Sequence, residues 1–270
     1  MAPAIIFLRM DPESTLRRLL AGYPRLLVAY SGGVDSAYLL WVAHEVLGEA
    51  CLGVLADSPS LARSEKENAL RFASLHGLPL RVIHTDEMDN AAYRANPLNR
   101  CFYCKHELFE KMTSLARDGG FTHLAYGENA DDMHDERPGR LAADAFQVTA
   151  PLREAGLGKK MIRDLAARAG LEVSQKAAQP CLASRIPHGQ EVNPEKLRQI
   201  EAGESVLNGI GFRIVRIRHH GNKAVVQVGP EETESLLRAV TREYVTGELR
   251  KCGFSEVEFD PEGYRGASLR

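Results

Sequence analysis

Short apolar runs alternate with helical stretches through the first half of the chain. Arg25–Tyr30, Ala50–Ala56, Leu80–His84 and Thr122–Tyr126 read as strands, and Ser36–Leu47, Ser60–His76 and Lys105–Arg117 as helices. Strands joined in sequence through helices pair in parallel, because a parallel connection needs a crossover long enough to hold a helix. The expected class is therefore α/β, a parallel sheet with helices on both faces. With 44% hydrophobic residues among 270, the chain carries enough apolar surface for such a core. The alternation fails between Ser174 and Pro194, where "SQKAAQPCLASRIPHGQEVNP" carries three prolines and no clear period. That stretch reads as a long functional loop joining two parts. Beyond it, a helix from Pro194 to about Leu207, a hairpin turning near Gly221–Asn222, helices at Glu231–Ala239 and Thr241–Lys251, and a strand at Ser255–Phe259 describe a small α+β domain. The expected division is residues 1–188 and 189–270.

The turn after the first strand is Ser31-Gly32-Gly33-Val34-Asp35-Ser36. Its glycines let the backbone take positive φ and approach a ligand closely. Amide N–H groups then converge at a helix start whose dipole adds partial positive charge, which suits phosphate oxygens. The hydroxyls of Ser31 and Ser36 add donors. The turn has neither the Gly-Lys-Ser/Thr ending of a Walker A loop nor a G-x-G-x-x-G fingerprint. A glycine pair alone is equally a tight strand–helix turn with a serine or aspartate cap. The whole hexapeptide resembles the PP-loop of the N-type ATP pyrophosphatases, which include NAD and GMP synthetases and tRNA thiolases. The resemblance implies ATP held at Ser31, Gly32, Gly33, Asp35 and Ser36 and split between its α- and β-phosphates.

That chemistry makes an electrophile from a poor one. A carboxylate carbon is shielded by delocalised charge; AMP transfer removes the charge and supplies a leaving group, while magnesium and the amide cradle stabilise the departing pyrophosphate. Plausible magnesium ligands are Asp35 in the loop and Asp131 and Asp132 in "YGENADD", just past the strand ending at Tyr126. A solvated acidic loop is the plainer reading of the latter two. Asp57, closing the second strand, faces the nucleotide or caps the helix expected from Ser60. Lys159, in "GLGKKMIRDLA", opens a helix and reaches a phosphate, or is a surface lysine.

Cys101 and Cys104 form a C-x-x-C in "NPLNRCFYCKHELF", at the entrance to a helix, and Cys181 lies in "QPCLASRIPHG". Three thiolates on a four-iron cluster leave one iron open for a further ligand such as sulfide. Structural zinc wants four closed ligands. Ordinary half-buried thiols are the alternative. Five cysteines, an odd number at uneven spacing, read in a cytosolic protein as thiols, metal ligands or catalysts and not as a disulfide framework. Cys51 and Cys252 read as core or surface thiols. His219 and His220 are neighbours on a strand and face opposite ways.

"NPLNRCFYCKHELF", "GENADDMHDERPG", "PLREAGLGKKMIRDLA", "PCLASRIPHG", "VRIRHHG" and "EGYRGAS" together resemble the LarE family, in order and over nearly the whole chain. These ATP-dependent sulfur transferases make the pyridinium bisthiocarboxylate mononucleotide of the nickel-pincer cofactor. The resemblance implies a mononucleotide substrate whose carboxylates are adenylated. Cys181 matches a cysteine that in some members gives up its own sulfur and becomes dehydroalanine. Members that also carry the C-x-x-C are thought to hold a [4Fe-4S] cluster with all three cysteines, here Cys101, Cys104 and Cys181. Arg216 and Arg218 match an arginine pair proposed to bind the substrate phosphate; strand alternation puts both on one face, and paired guanidinium groups suit phosphate and carboxylates. Glu204 as a catalytic residue and Arg265 as a substrate ligand are weaker carry-overs, and Arg185 steadies an anion near Cys181. His188 stands where many members have tyrosine, and "GLGKK" replaces a more usual "GLTK", removing a capping hydroxyl before Lys159.

A formal charge of −2 argues against a strongly basic nucleic-acid surface. A tRNA thiolase would carry a basic RNA-binding appendage, an ammonia-using synthetase would not need three clustered thiols, and a nucleotide sensor would release no pyrophosphate. "MAPAIIFLRMDPES" has no basic start and no cleavage site, and no run of about 18 apolar residues occurs, so neither a signal peptide nor a membrane span is expected. The expected location is the cytoplasm. A homo-oligomer is expected by resemblance alone.

Overall fold

The computed structural model of the chain describes residues 11–134 and 138–264. Its elements, in chain order, are α1 (Pro12–Ala21), β1 (Leu26–Ala29), α2 (Val34–Leu47), β2 (Cys51–Asp57), α3 (Arg63–Leu75), β3 (Leu80–His84), α4 (Ala91–Arg94), α5 (Arg100–Gly119), β4 (His123–Tyr126), α6 (Pro138–Ala145), α7 (Pro151–Glu154), α8 (Lys159–Arg168), α9 (Pro194–Gly209), β5 (Val215–His220), β6 (Lys223–Val228), α10 (Thr233–Leu237), α11 (Ala239–Lys251) and β7 (Glu256–Phe259). They fall into two compact units. The first comprises Met1–Asp57, Arg63–Thr85 and Cys101–Gln179; the second comprises Ser58–Ala62, Asp86–Arg100 and Pro180–Arg270. Among the described residues no helix is long and apolar enough to cross a membrane.

The first unit is a four-stranded parallel sheet in the order β3-β2-β1-β4. Central β1 is buried along its whole length, as a strand covered on both faces must be. Leu27 and Ala29 join Val54, Leu124 and Tyr126 in a core closed by Phe109 and Met112 of α5 and Ala142 and Ala143 of α6. Leu26 and Val28 alternate to the other face, where α2 packs on β1 and β2. Helix α2 is apolar nearly all round because α1 and α8 cover it as well. Gly53 in β2 permits this closeness: a Cβ there would lie 2.7 Å from Leu40 Cδ2. The chain runs outward from β1 through β2 to β3 and returns to place β4 on the other side of β1. The carboxyl ends of β1 and β4 therefore form a topological switch point, where open α/β sheets bind ligands.

The second unit holds a three-stranded sheet, β5-β6-β7, with an antiparallel hairpin β5–β6 and a parallel pair β6–β7. Gly221, at φ +65, and Asn222 make the expected two-residue turn. Ile217, Val226 and Val228 pack with Leu207 of α9 and Val245 and Leu249 of α11. The segments 58–62 and 86–100 join the chain after Pro180 through backbone bonds: Leu182 to the Ser60 carbonyl, Gly189 to that of Asn96 and Val192 to that of Arg94.

Several boundaries differ from expectation, and two of them have a packing cause. Helix α5 begins at Arg100, so the C-x-x-C lies inside the helix, at its second and fifth residues. Packing of Phe102 on the core outweighs the low helix propensity of aromatic and cysteine residues. Helix α3 begins at Arg63, three residues after Ser60, because the Ser60 carbonyl accepts from Leu182 and its hydroxyl bonds Tyr93 at 2.6 Å.

Candidate active site

The glycine turn follows β1 at the switch point of the first unit. Gly32 sits at φ +73 with no room for a side chain, since a Cβ would lie 2.9 Å from that of Ala69. Ser36 Oγ accepts from the Ser31 amide, lies 3.1 Å from Ser31 Oγ and donates to the Gly33 carbonyl at 3.1 Å, closing the loop on itself. Gly33 caps α2 without a side-chain bond, so the helix offers its first amides to an anion. Lys176 donates to the Gly32 carbonyl at 2.9 Å and pairs with Glu65 at 2.7 Å, pinning the loop from behind. Gly127, just past β4, brings that strand's exit against the loop: a Cβ there would stand 2.8 Å from the Ser36 amide nitrogen.

Asp35 is the pivot. Its Oδ2 meets Lys159 Nζ at 2.6 Å and Asn129 Nδ2 at 3.3 Å, while its buried Oδ1 has no hydrogen-bond partner. An orphaned carboxylate oxygen beside a phosphate-type loop suits a divalent cation, and Asp132, 9% exposed, accepts from the Asn129 amide at 3.2 Å in the same cluster. Asp35 and Asp132 thus fit the donor set of a magnesium ion. Asp131 takes another part, accepting from the Lys159 amide at 2.7 Å. Asp57 binds Arg63 at 2.6 Å and Lys66, both in the first turn of α3, through their side chains. Burial alone would raise its pKa, but the hydrogen bonds and charges of Lys66 and Arg63 outweigh it and hold the carboxyl below its usual range.

Cys101 is exposed and Cys104 half-buried, three residues apart and hence on one face of α5. Among the described residues no three His, Cys, Asp or Glu side chains converge to hold a metal.

In the second unit Cys181 is exposed and precedes a short 3-10 turn, Leu182–Arg185. Three guanidinium groups grip the carbonyls around it. Arg185 donates to those of Pro180 at 2.6 Å and Cys181 at 3.2 Å, Arg100 to that of Ala183 at 2.9 Å, and Arg218 to that of Ser184 at 2.9 Å. Arg185 is fully engaged, also binding Glu204 through Nε at 2.8 Å and Nη2 at 3.0 Å. Glu204 in turn accepts from the Ile217 amide, tying α9 to β5 and to the Cys181 loop. Arg216 is buried beneath the ring of Tyr264 at 4.7 Å. Desolvation, reinforced by repulsion from Arg185, lowers its pKa. His219 is buried, His220 exposed, and His188 Nδ1 lies 3.4 Å from the Asn96 carbonyl. Arg265 lies outside the described residues.

No protein-family model matches the chain. An uncharacterized protein of Synechocystis sp. is 37% identical over 254 residues, 94% of this chain and 95% of the relative. The pyridinium-3,5-bisthiocarboxylic acid mononucleotide synthase of Lactiplantibacillus plantarum is 28% identical over 258 residues, 95% of this chain and 93% of the synthase. The chain belongs to the LarE family of ATP-dependent sulfurtransferases. A tRNA-5-methyluridine(54) 2-sulfurtransferase of Pyrococcus horikoshii shares 30% identity over 118 residues, 43% of this chain and 38% of that enzyme.

Within this LarE-family chain, sequence reasoning missed four contributors. Lys176 and Gly127 hold and fit the glycine turn. Arg100, 5% exposed, places Nη2 3.9 Å from Cys181 Sγ. Glu128, 4% exposed, takes Tyr126 at 2.7 Å, Arg140 at 2.9 Å and Arg153 at 2.5 Å and so braces the acidic loop. A glutamate two residues past the end of a buried strand was the signal available for the last.

Proposed function

We propose that the chain transfers sulfur, at the expense of ATP, to the carboxylates of pyridinium-3,5-biscarboxylic acid mononucleotide. The observation that carries this reading is Cys181, an exposed thiol on a loop whose carbonyls are held by three arginines, in a chain that also carries the glycine turn. ATP lies along Ser31–Ser36, its departing phosphates taken by the first amides of α2 and by Lys159, with Asp57 toward the nucleotide. Asp35 and Asp132 would hold magnesium, which offsets charge on the leaving pyrophosphate. Arg216 and Arg218 anchor the anionic acceptor, Arg265 adding to them, and a carboxylate oxygen of the acceptor attacks the α-phosphate. The acyl adenylate then takes sulfur and loses AMP.

Cys181 supplies that sulfur: its thiolate displaces AMP, and loss of the Cα proton with cleavage of the Cβ–S bond leaves a thiocarboxylate and dehydroalanine. A four-iron cluster on Cys101, Cys104 and Cys181, if held, would supply sulfide at its fourth iron instead. Glu204 acts through Arg185 and is a positioning residue. The reading includes a cytoplasmic homo-oligomer, by resemblance to the family. The test is pyrophosphate release from ATP with magnesium and the dicarboxylate mononucleotide. Release is expected to require the acceptor and to fall at least about tenfold in Lys159→Ala; acceptor-independent release would contradict the reading.

A further inference from the structure

We infer that Asp131 is the positioning residue for Lys159, serving as the N-cap of α8 from a distant loop. Helix α8 begins at Lys159 behind Gly158, which has extended backbone and no side chain to cap with. Helices in that state leave their first amides without partners, a deficit that a serine, threonine, aspartate or asparagine normally fills. Here Asp131 Oδ2 accepts from the Lys159 amide at 2.7 Å, from 28 residues away. Its carboxylate also occupies the space a side chain at 158 would need: a Cβ on Gly158 would lie 2.6 Å from Asp131 Oδ1. Glycine at 158 and aspartate at 131 are therefore two halves of one device.

The loop side is fixed as firmly. The Asp131 amide donates to Asn129 Oδ1 at 2.9 Å, and the Ala130 amide donates to the Leu157 carbonyl at 2.8 Å. The same Asn129 meets Asp35 through Nδ2, and Lys159 Nζ reaches that carboxylate at 2.6 Å. Asp131 thus sets the start of α8, the start of α8 sets Lys159, and Lys159 meets the glycine turn at Asp35. Its negative charge also complements the positive end of the helix dipole.

The functional half of this inference rests on the proposed reading of Lys159 as a phosphate ligand; the capping half does not. The experiment compares Asp131→Ala, Gly158→Thr, the double variant Asp131→Ala/Gly158→Thr and Lys159→Ala by two measurements: amide hydrogen exchange at residues 158–162 without nucleotide, and the dissociation constant for ATP with magnesium. Asp131→Ala is expected to speed exchange and weaken ATP about fivefold, the equivalent of one lost cap. Gly158→Thr alone forces its Cβ against the carboxylate and weakens ATP as well. The double variant replaces the distant cap with a local hydroxyl and recovers both measurements to within about twofold. Unchanged exchange in Asp131→Ala, or a double variant no better than Asp131→Ala, overturns the inference. ATP affinity unchanged in Lys159→Ala overturns the phosphate reading alone, because exchange still decides the cap.

Discussion

Arg100 meets Asn96 Oδ1 at 2.5 Å, the Ala183 carbonyl and Cys181 Sγ, with no carboxylate among its described partners. A buried guanidinium without countercharge costs several kcal/mol, and negative charge developing on the sulfur 3.9 Å from its Nη2 would offset part of that cost. Arg100→Met is predicted to slow alkylation of Cys181 by iodoacetamide at neutral pH by about tenfold, read by mass spectrometry, whereas Arg100→Lys keeps most of the rate. Equal rates in all three would remove Arg100 from the chemistry. Glu128 yields a stability prediction. Burial would raise its pKa, but Tyr126, Arg140 and Arg153 outweigh that and hold it below the ordinary 4.5. A depressed carboxylate stabilises the fold fully above its unfolded value and loses that contribution as pH falls through the folded one. Glu128→Gln should therefore cost about 3 kcal/mol in urea unfolding near pH 7, with the gap to wild type closing below pH 4.5. The glycine turn was legible because its residues are neighbours in sequence. Arg100 and Glu128 were not, because Ala183 and Arg153 come to them from distant parts of the chain.

Among elements, strands and most first-unit helices were readable from the lengths and spacing of their apolar runs, since β1 is buried along its whole length and α2 along most of its own. Boundaries set by tertiary contacts were not: Ser60 is held away from α3 by Leu182 and Tyr93. Helix α1 went unread although Asp11 accepts from the Ser14 amide and Pro12 opens the helix, a local signal available in the sequence. Gly127 shows how one residue couples two elements. Gly127→Ala puts a methyl 2.8 Å from the Ser36 amide and 2.9 Å from its Cα, which are backbone atoms and cannot swing aside. The predicted result is at least about tenfold weaker ATP binding by calorimetry, with a stability loss of about 1–3 kcal/mol. ATP binding at the wild-type level would show that the exit of β4 does not shape the glycine turn.

At the scale of the molecule, the order β3-β2-β1-β4 puts the glycine turn and the acidic loop at one switch point, and that much follows from α/β topology. The weave of the chain does not: it passes between units after Asp57, Ala62, Thr85, Arg100 and Gln179, and no local pattern marks those junctions. The two halves of the proposed chemistry are divided the same way, the glycine turn in one unit and Cys181 in the other. The mass of the mononucleotide acceptor after incubation with ATP and magnesium tests the account most directly. Replacement of carboxylate oxygen by sulfur with wild-type protein, and none with Cys181→Ala, is the predicted result. An acceptor that leaves with all its oxygens, or one that gains sulfur equally from Cys181→Ala, would contradict it.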